Sequence, residues 1–402
     1  MTEREALIAL NRIQGIGAIT AKRIAGVLGS VAAAGGRSVR ELQAIPGVGE
    51  ERAALIAREL TSGQANEEME LAATKGVTLI TWVDEGYPAL LQTIADPPLV
   101  LYVTGDAAAL DTPSAAIVGT RHPTLYGREM AQRFSYQLAA AGYTVVSGLA
   151  EGIDTEAHTG ALKAGGRTVA VLGGGLDCLY PKSNTGLARK IVSEGGAVIS
   201  EYPFGRQPDR QTFPMRNRIV SGLCKGVLVV EAPVNSGTLI TANQALDQNR
   251  AVMAVPGRID SGASQGCHKL LKEGAKLVTR VEDVLEELQD LFGARRGAGA
   301  PHDGPLTNTG YPTAKGTDAS GQRQGDLGVG HSAVDRGPSD PPAPKLSEEE
   351  RALLAGVADE GTHMDALIRA SGMDAGKVNA IVVSLQIRRQ VRLLPGGFVK
   401  RV

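Results

Sequence analysis

Ala115-Ala116-Ile117-Val118-Gly119-Thr120-Arg121 is the stretch on which the fold turns. A short apolar run ends at a glycine, and a helical pattern follows from about Tyr126 to Ala141. A strand that stops at Gly and opens onto a helix presents backbone N–H groups to an anion, as the units of a parallel α/β sheet do. Arg121 adds a positive charge at that point.

The same unit recurs along the chain. Thr144-Val145-Val146-Ser147-Gly148 leads to a helical stretch from Thr155 to Ala164, and Val169-Ala170-Val171-Leu172 leads into Gly173-Gly174-Gly175. Further runs at Ala197 to Ser200, Val227 to Glu231 and Val252 to Val255 each give way to Gly, Pro, Ser or Asn. Strands alternating with helices predict a doubly wound, Rossmann-like parallel sheet. The loops at the strand C-terminal ends of such a sheet gather along one edge. Gly119, Thr120 and Arg121, Gly148, Gly173 to Gly175, the segment after Ser200 and the segment after Glu231 are therefore expected to line one crevice. Val77 to Ile80 and Leu99 to Val103 read as extra strands that extend the sheet or cover its edge.

With 402 residues, 43% of them hydrophobic, the chain has room for several domains with real cores. A net charge of -1 excludes binding of a polyanion through the global field, so any nucleic-acid contact must come from local clusters. Cys178, Cys224 and Cys267 lack metal-ligand spacing, and no basic, apolar leader precedes them, which reads as a reduced cytoplasm and no membrane. His158 and His268 fall on predicted helices without a second ligand at metal spacing and read as packing residues. No metal or cofactor is expected.

The segment from Glu201 to Leu223 interleaves Tyr202, Phe204 and Phe213 with Arg206, Arg210, Arg216 and Arg218, in a chain that is only 3% aromatic. Rings for base stacking beside guanidiniums for phosphates are what a single-stranded nucleic acid needs. The same residues could equally plug a core and pair with acids, and both roles stay open. Asn235-Ser236-Gly237-Thr238 begins a helix through about Asp247 and offers either a phosphate site or an ordinary N-cap.

The flanks carry their own signals. Ile13-Gln14-Gly15-Ile16-Gly17 and Ile45-Pro46-Gly47-Val48-Gly49 are two copies of an apolar-Gly hairpin, each followed by a helical pattern. Helix-hairpin-helix modules hold a DNA phosphate in this way, but a merely structural hairpin has the same glycines. Periodicity stops from Gly293 to Pro344, where Gly, Pro, Ser, Thr and Asp dominate as in a flexible linker. Ser347-Glu348-Glu349-Glu350 then forms a capping box, followed by helical patterns from Met364 to Ala370 and Lys377 to Arg389 and a hairpin from Val391 to Val399. This is the outline of a winged helix, for which DNA and protein both remain open as ligands. The expected division is a hairpin domain over residues 1–65, the sheet domain over 70–292, a linker over 293–344 and the winged helix over 345–402.

AIVGTR, SGLAEGID with His158, LGGGLDCLYPKSN, SEYPFG, FPMRNRIVSGL, VVEAPVNSGTLITANQAL, AVPG and GCHKLLKEGAKLV occur in unbroken order from about Tyr87 to Leu288. In this the chain resembles the DNA-processing protein A family, DprA, also called Smf. The resemblance implies a binding protein and not an enzyme, one that protects incoming single-stranded DNA in natural transformation, loads the RecA recombinase onto it and works as a homodimer. It implies a DNA pocket containing Arg121, Gly173 to Gly175, Lys182, Arg216, Asn217 and Arg218, with Phe213 beside them. Dimer contacts are implied near His268, Leu271 and Leu277. The sheet also resembles the LOG phosphoribohydrolases and their lysine-decarboxylase-related kin, where Glu231 with Arg216 would act on a nucleoside monophosphate. Against that alternative, NSGTLITA offers no carboxylate where the catalytic one belongs.

Overall fold

The structure is a computed structural model that describes residues 1–290 and most of residues 347–401. The described residues fall in two compact units. In the first, one sheet contains β1 (Thr78–Thr81), β2 (Val100–Gly105), β3 (Ser114–Val118), β4 (Thr144–Ser147), β5 (Thr168–Val171), β6 (Ala197–Ser200), β7 (Gly226–Val229), β8 (Ala251–Ala254) and β9 (Lys276–Leu277). Their spatial order is β1-β2-β6-β5-β4-β3-β7-β8-β9. The strands from β3 to β9 pair in parallel, whereas β2 runs antiparallel to both β6 and β1. The two early strands therefore extend the sheet.

Side chains alternate across the sheet. Ala116 and Val118 enter one apolar layer, and Ala115 and Ile117 enter the other. A strand covered on both faces has to be apolar throughout, which is why the deciding stretch reads as a continuous run. Helices α1 (Glu3–Asn11), α2 (Ala18–Leu28), α3 (Val39–Gln43), α4 (Glu50–Glu59) and α5 (Gln64–Thr74) precede the sheet. Within it come α6 (Ala89–Gln92), α7 (Leu125–Ala140), α8 (Ile153–Lys163), α9 (Thr185–Ser193), α10 (Thr212–Gly222), α11 (Gly237–Asp247), α12 (Gln265–Lys272) and α13 (Val281–Asp290). Phe134 and Leu138 of α7, with Ala157 and Ala161 of α8, fill one layer. Ile219 and Val220 of α10, with Ala242 and Ala245 of α11, fill the other. Winding proceeds from β3 through β4 and β5 to β6, then returns to start again at β7 on the other side of β3. The crevice outside the C-terminal ends of β3 and β7 is the topological switch point, where ligands of open α/β sheets bind.

The N-terminal helices share one apolar cluster with Leu79, Leu99, Val100 and Tyr102 of the sheet's outer end. Gly15 (φ +81) and Gly47 (φ +80) take the left-handed conformation at the hairpin tips, which favours glycine. Arg12 ties the helices together, donating to Glu59 at 2.8 Å and to Gln64 at 2.8 Å and pairing with Glu68. Burial opposes its charge, but the two carboxylates prevail and hold its pKa above the ordinary guanidinium value. Glu68 in turn accepts from Tyr102 Oη and from the Phe204 N–H. The outer edge of β1 is occupied: Arg4 donates to Leu79 O at 2.7 Å, the Thr81 N–H donates to Asp84 at 2.8 Å, and Arg4 and Asp84 pair with each other. At the opposite end β9 has both residues exposed.

The second unit carries α14 (Glu348–Ala355), β10 (Thr362–His363), α15 (Met364–Ser371), β11 (Val391–Leu394) and β12 (Phe398–Arg401). The strands form an antiparallel sheet in the order β10-β12-β11. Val378, Ile381, Val382 and Leu385, spaced as on one helix face, are buried with Leu353, Leu367, Val391 and Val399. This is a winged helix. Part of the helix expected from Lys377 to Arg389, and all of the expected linker from Gly293 to Pro344, lie outside the described residues.

Candidate nucleic-acid interface

The loops after β3 and β7 are stitched together at the switch point. The Thr120 N–H donates to Glu231 O at 2.8 Å, and the Val230 N–H donates to Val118 O at 3.1 Å. The Glu231 side chain, 2% exposed, accepts from the Thr124 N–H and from Thr124 Oγ1, both at 2.8 Å. Thr124 is the N-cap of α7, so this carboxylate stabilises the positive end of that helix. Both of its oxygens are thereby engaged in structure. The crevice outside these loops measures about 550 Å³ and is lined by Gly119, Thr120, Arg121, Gly148, Phe213, Arg216 and Asn217. Ser236 and Thr238 at the start of α11 close its far side, with the Ser236 hydroxyl capping the Thr238 N–H.

Its floor is a buried guanidinium. Arg216, 5% exposed, reaches from α10 to the ends of β4 and β5, where Nη1 donates to Gly148 O at 2.6 Å and also to Val171 O. Asp154 on α8, 7% exposed, accepts from the Gly148 N–H at 3.1 Å and the Ala150 N–H at 3.3 Å, and its charge faces Arg216. Burial pushes the Arg216 pKa down to about 10, against the pull of Asp154, so the group keeps its charge near neutral pH. Burial likewise raises Asp154 above the ordinary carboxylate value, against the pull of Arg216. A Cβ on Gly148 would run into the Arg216 guanidinium. His158 lies fully buried with Nδ1 2.7 Å from Thr168 Oγ1, and burial plus the Arg216 charge hold its pKa near 3.

The rim is aromatic and cationic. Arg121 is exposed, with its guanidinium 5.2 Å from the centroid of the Phe213 ring. Phe213 rests on Gly173, whose missing side chain makes room for it. The ring of Tyr180, 53% exposed, stands 5.9 Å from that of Phe213 at 50°. Phe213 is therefore enclosed between groups, and Tyr180 carries the free ring face. Tyr180 was not singled out from the sequence, although its signal was there. It is the tyrosine of the same YPK stretch whose lysine was chosen.

Several expected pocket residues are not in this crevice. Gly173, Gly174 and Gly175 are buried beneath Pro203 to Phe213, and their lack of side chains admits that covering segment. Lys182 borders a separate hollow with Leu176, Leu179 and Arg189. Arg218 faces away because α10 turns it about 200° from Arg216, at 100° per residue. It pairs with Asp96 at 3.1 Å and with Glu201. Burial raises the Glu201 pKa against the opposing charge of Arg218. Of the residues expected at a dimer contact, Leu277 is 50% exposed on β9, Leu271 packs partly against the core, and His268 Nε2 is 3.0 Å from Gly257 O. Among the described residues no group of three His, Cys, Asp or Glu is placed to hold a metal. No helix among them is long and apolar enough to cross a membrane.

The model of the family described as DNA recombination-mediator protein A matches residues 78–289, just over half of the chain. Protein Smf of Synechocystis sp. is 33% identical over 405 residues, covering 98% of both chains. The chain belongs to the DprA/Smf family. A model for the DprA winged helix domain matches residues 337–397. DNA processing protein DprA of Streptococcus pneumoniae is 45% identical over 207 residues, which cover 52% of this chain and 73% of that protein. The X-ray structure of DprA from Streptococcus pneumoniae superposes with a TM-score of 0.61 at 34% identity, covering 71% of this chain and 98% of the other. The DprA sheet and the winged helix are thus both recognised by likeness as well as by their strands and cores.

Proposed function

We propose that this chain binds single-stranded DNA in the switch-point crevice, as a mediator that protects the strand and delivers it to RecA, and that it acts as a homodimer joined near β9. The observation that carries the reading is the cluster of Arg121, Phe213 and Tyr180 beside the buried Arg216. It sets an exposed guanidinium for a phosphate beside an open ring face for an unpaired base, above a fixed positive charge. A base held inside a duplex has no free face to offer Tyr180. Binding, and not hydrolysis, is supported by Glu231, the acid that a nucleotide hydrolase would need, because Thr124 already occupies both of its oxygens.

The test is fluorescence anisotropy of labelled single-stranded and duplex oligonucleotides over a range of salt. Single strands are expected to bind more tightly, and Arg121→Ala should weaken them uniformly across sequences while lowering the salt slope by about 0.7, the value for one single-strand phosphate contact. Equal affinity for duplex, or an unchanged slope in the variant, would overturn the proposal. So would release of free base from a nucleoside monophosphate that disappears in Glu231→Gln.

A further inference from the structure

Beyond Pro214 the crevice gives way to a second depression of about 960 Å³, and Pro214 borders both. One wall of this groove is the first glycine hairpin, Gly15 to Gly17, with Ile19 57% exposed just past it. The other wall carries Tyr202 and Met215, the latter 50% exposed. The groove thus runs between the N-terminal helices and the sheet.

Its charge is one-sided. Five arginines and two carboxylates line it. Both carboxylates, Asp96 and Glu201, are taken by Arg218. Arg12 is held from behind by Glu59 and Glu68, and Arg206 is paired with Asp209. Arg23 and Arg52 remain, both exposed and without an ion pair or hydrogen bond among the described residues. The guanidinium of Arg23 lies over Gly47, where a Cβ would collide with it, so this cation is seated between the two hairpins. A polyanion leaving the crevice past Pro214 meets these two free charges next, with the exposed faces of Met215 and Ile19 beside them for bases to pack on.

We infer that this groove is a second segment of the binding track, in which the single strand held in the crevice continues over Pro214 and lays its phosphates on Arg23 and Arg52. The inference rests on the crevice reading above. It assigns the N-terminal hairpin helices a part in holding the strand, and it makes affinity depend on strand length in two steps. The first step fills the crevice, and the second reaches the groove.

The experiment uses the full chain and two single-stranded probes, one of about six nucleotides, enough for the crevice, and one of about twenty, enough for both segments. The double variants R23A/R52A and R23E/R52E alter exposed, unpaired side chains, so melting should match the wild type, and the alanine pair keeps the test open if charge reversal perturbs folding. The short probe should bind both variants as it binds the wild type. The long probe should lose roughly tenfold in affinity and about 0.7 in salt slope for each arginine removed. Unchanged binding of the long probe overturns the groove while leaving the crevice standing. Equal losses on both probes overturn it as well, since the arginines would then act on the first segment. A loss seen with duplex but not with the long single strand means that the occupant is wrong. A wild-type chain that binds neither probe defeats the crevice reading and this one together.

Discussion

Placing a methyl group on Gly148 tests the seat of the buried guanidinium. Gly148 does not have a left-handed backbone, so alanine is conformationally acceptable there. Without a steric conflict, Gly→Ala stabilises a protein by about 0.4–1 kcal/mol through the unfolded chain. Here the new Cβ overlaps three atoms of the Arg216 guanidinium. That side chain is 5% exposed and cannot swing into solvent without leaving Gly148 O and Val171 O. Each hydrogen bond to a charged group contributes roughly 1.5–3 kcal/mol, and a buried carboxylate deprived of its partner, here Asp154, costs about 3–5 kcal/mol. These two losses describe the same displacement and do not add, so Gly148→Ala should destabilise the first unit by about 3–5 kcal/mol. Urea unfolding followed by circular dichroism reads the stability, and anisotropy with a single-stranded probe reads the crevice. A destabilisation below about 1 kcal/mol with unchanged binding would show that Arg216 has room to spare and that Gly148 is not what seats it.

Two further outcomes follow from other residues. His158 stays neutral in the native state until about pH 3, whereas the unfolded chain takes up a proton near pH 6.5. Stability should therefore fall as pH drops below 6.5, by up to about 1.4 kcal/mol per pH unit from this residue alone, and be fully recovered above it. His158→Gln should flatten that part of the profile in urea midpoints measured from about pH 7 to about pH 4.5, and an unaltered profile would mean that the imidazole is reached by protons in the folded state. At the sheet edge, Leu277→Arg is a cleaner probe of the proposed dimer than Leu271→Arg, because Leu271 also serves the core. Light scattering should report monomers with an unchanged melting temperature, and a variant that stays dimeric places the contact elsewhere.

Strand positions were readable because parallel strands covered on both faces need unbroken apolar runs, and β3, β4 and β5 have them. Helix starts were readable through their caps, as at Ser347. What escaped was direction within the segment from Glu201 to Leu223. As an interleaved string of rings and guanidiniums, its arginines belong to no particular surface. Folded as α10 from Thr212, it sends Arg216 under the crevice and Arg218 to Glu201 on the other side. The glycines of Gly173-Gly174-Gly175 are ambiguous for a related reason. A missing side chain is needed to let a covering segment approach as much as to admit a phosphate, and only the neighbours tell which. Tyr180 is not legible in the sequence because the exposure of its ring depends on how the segment folds against Phe213.

The two ends of the sheet are finished differently. At β1 the free backbone groups are stoppered by Arg4 and Asp84, whereas β9 has two exposed residues and, among the described residues, no strand pairs with its outer side. A protein with two open edges can add copies without limit. One with a single open edge can only meet its own likeness there, about a two-fold axis, and each copy then has nothing left to offer a third. Growth through this sheet should therefore stop at the pair, whatever the concentration of the chain.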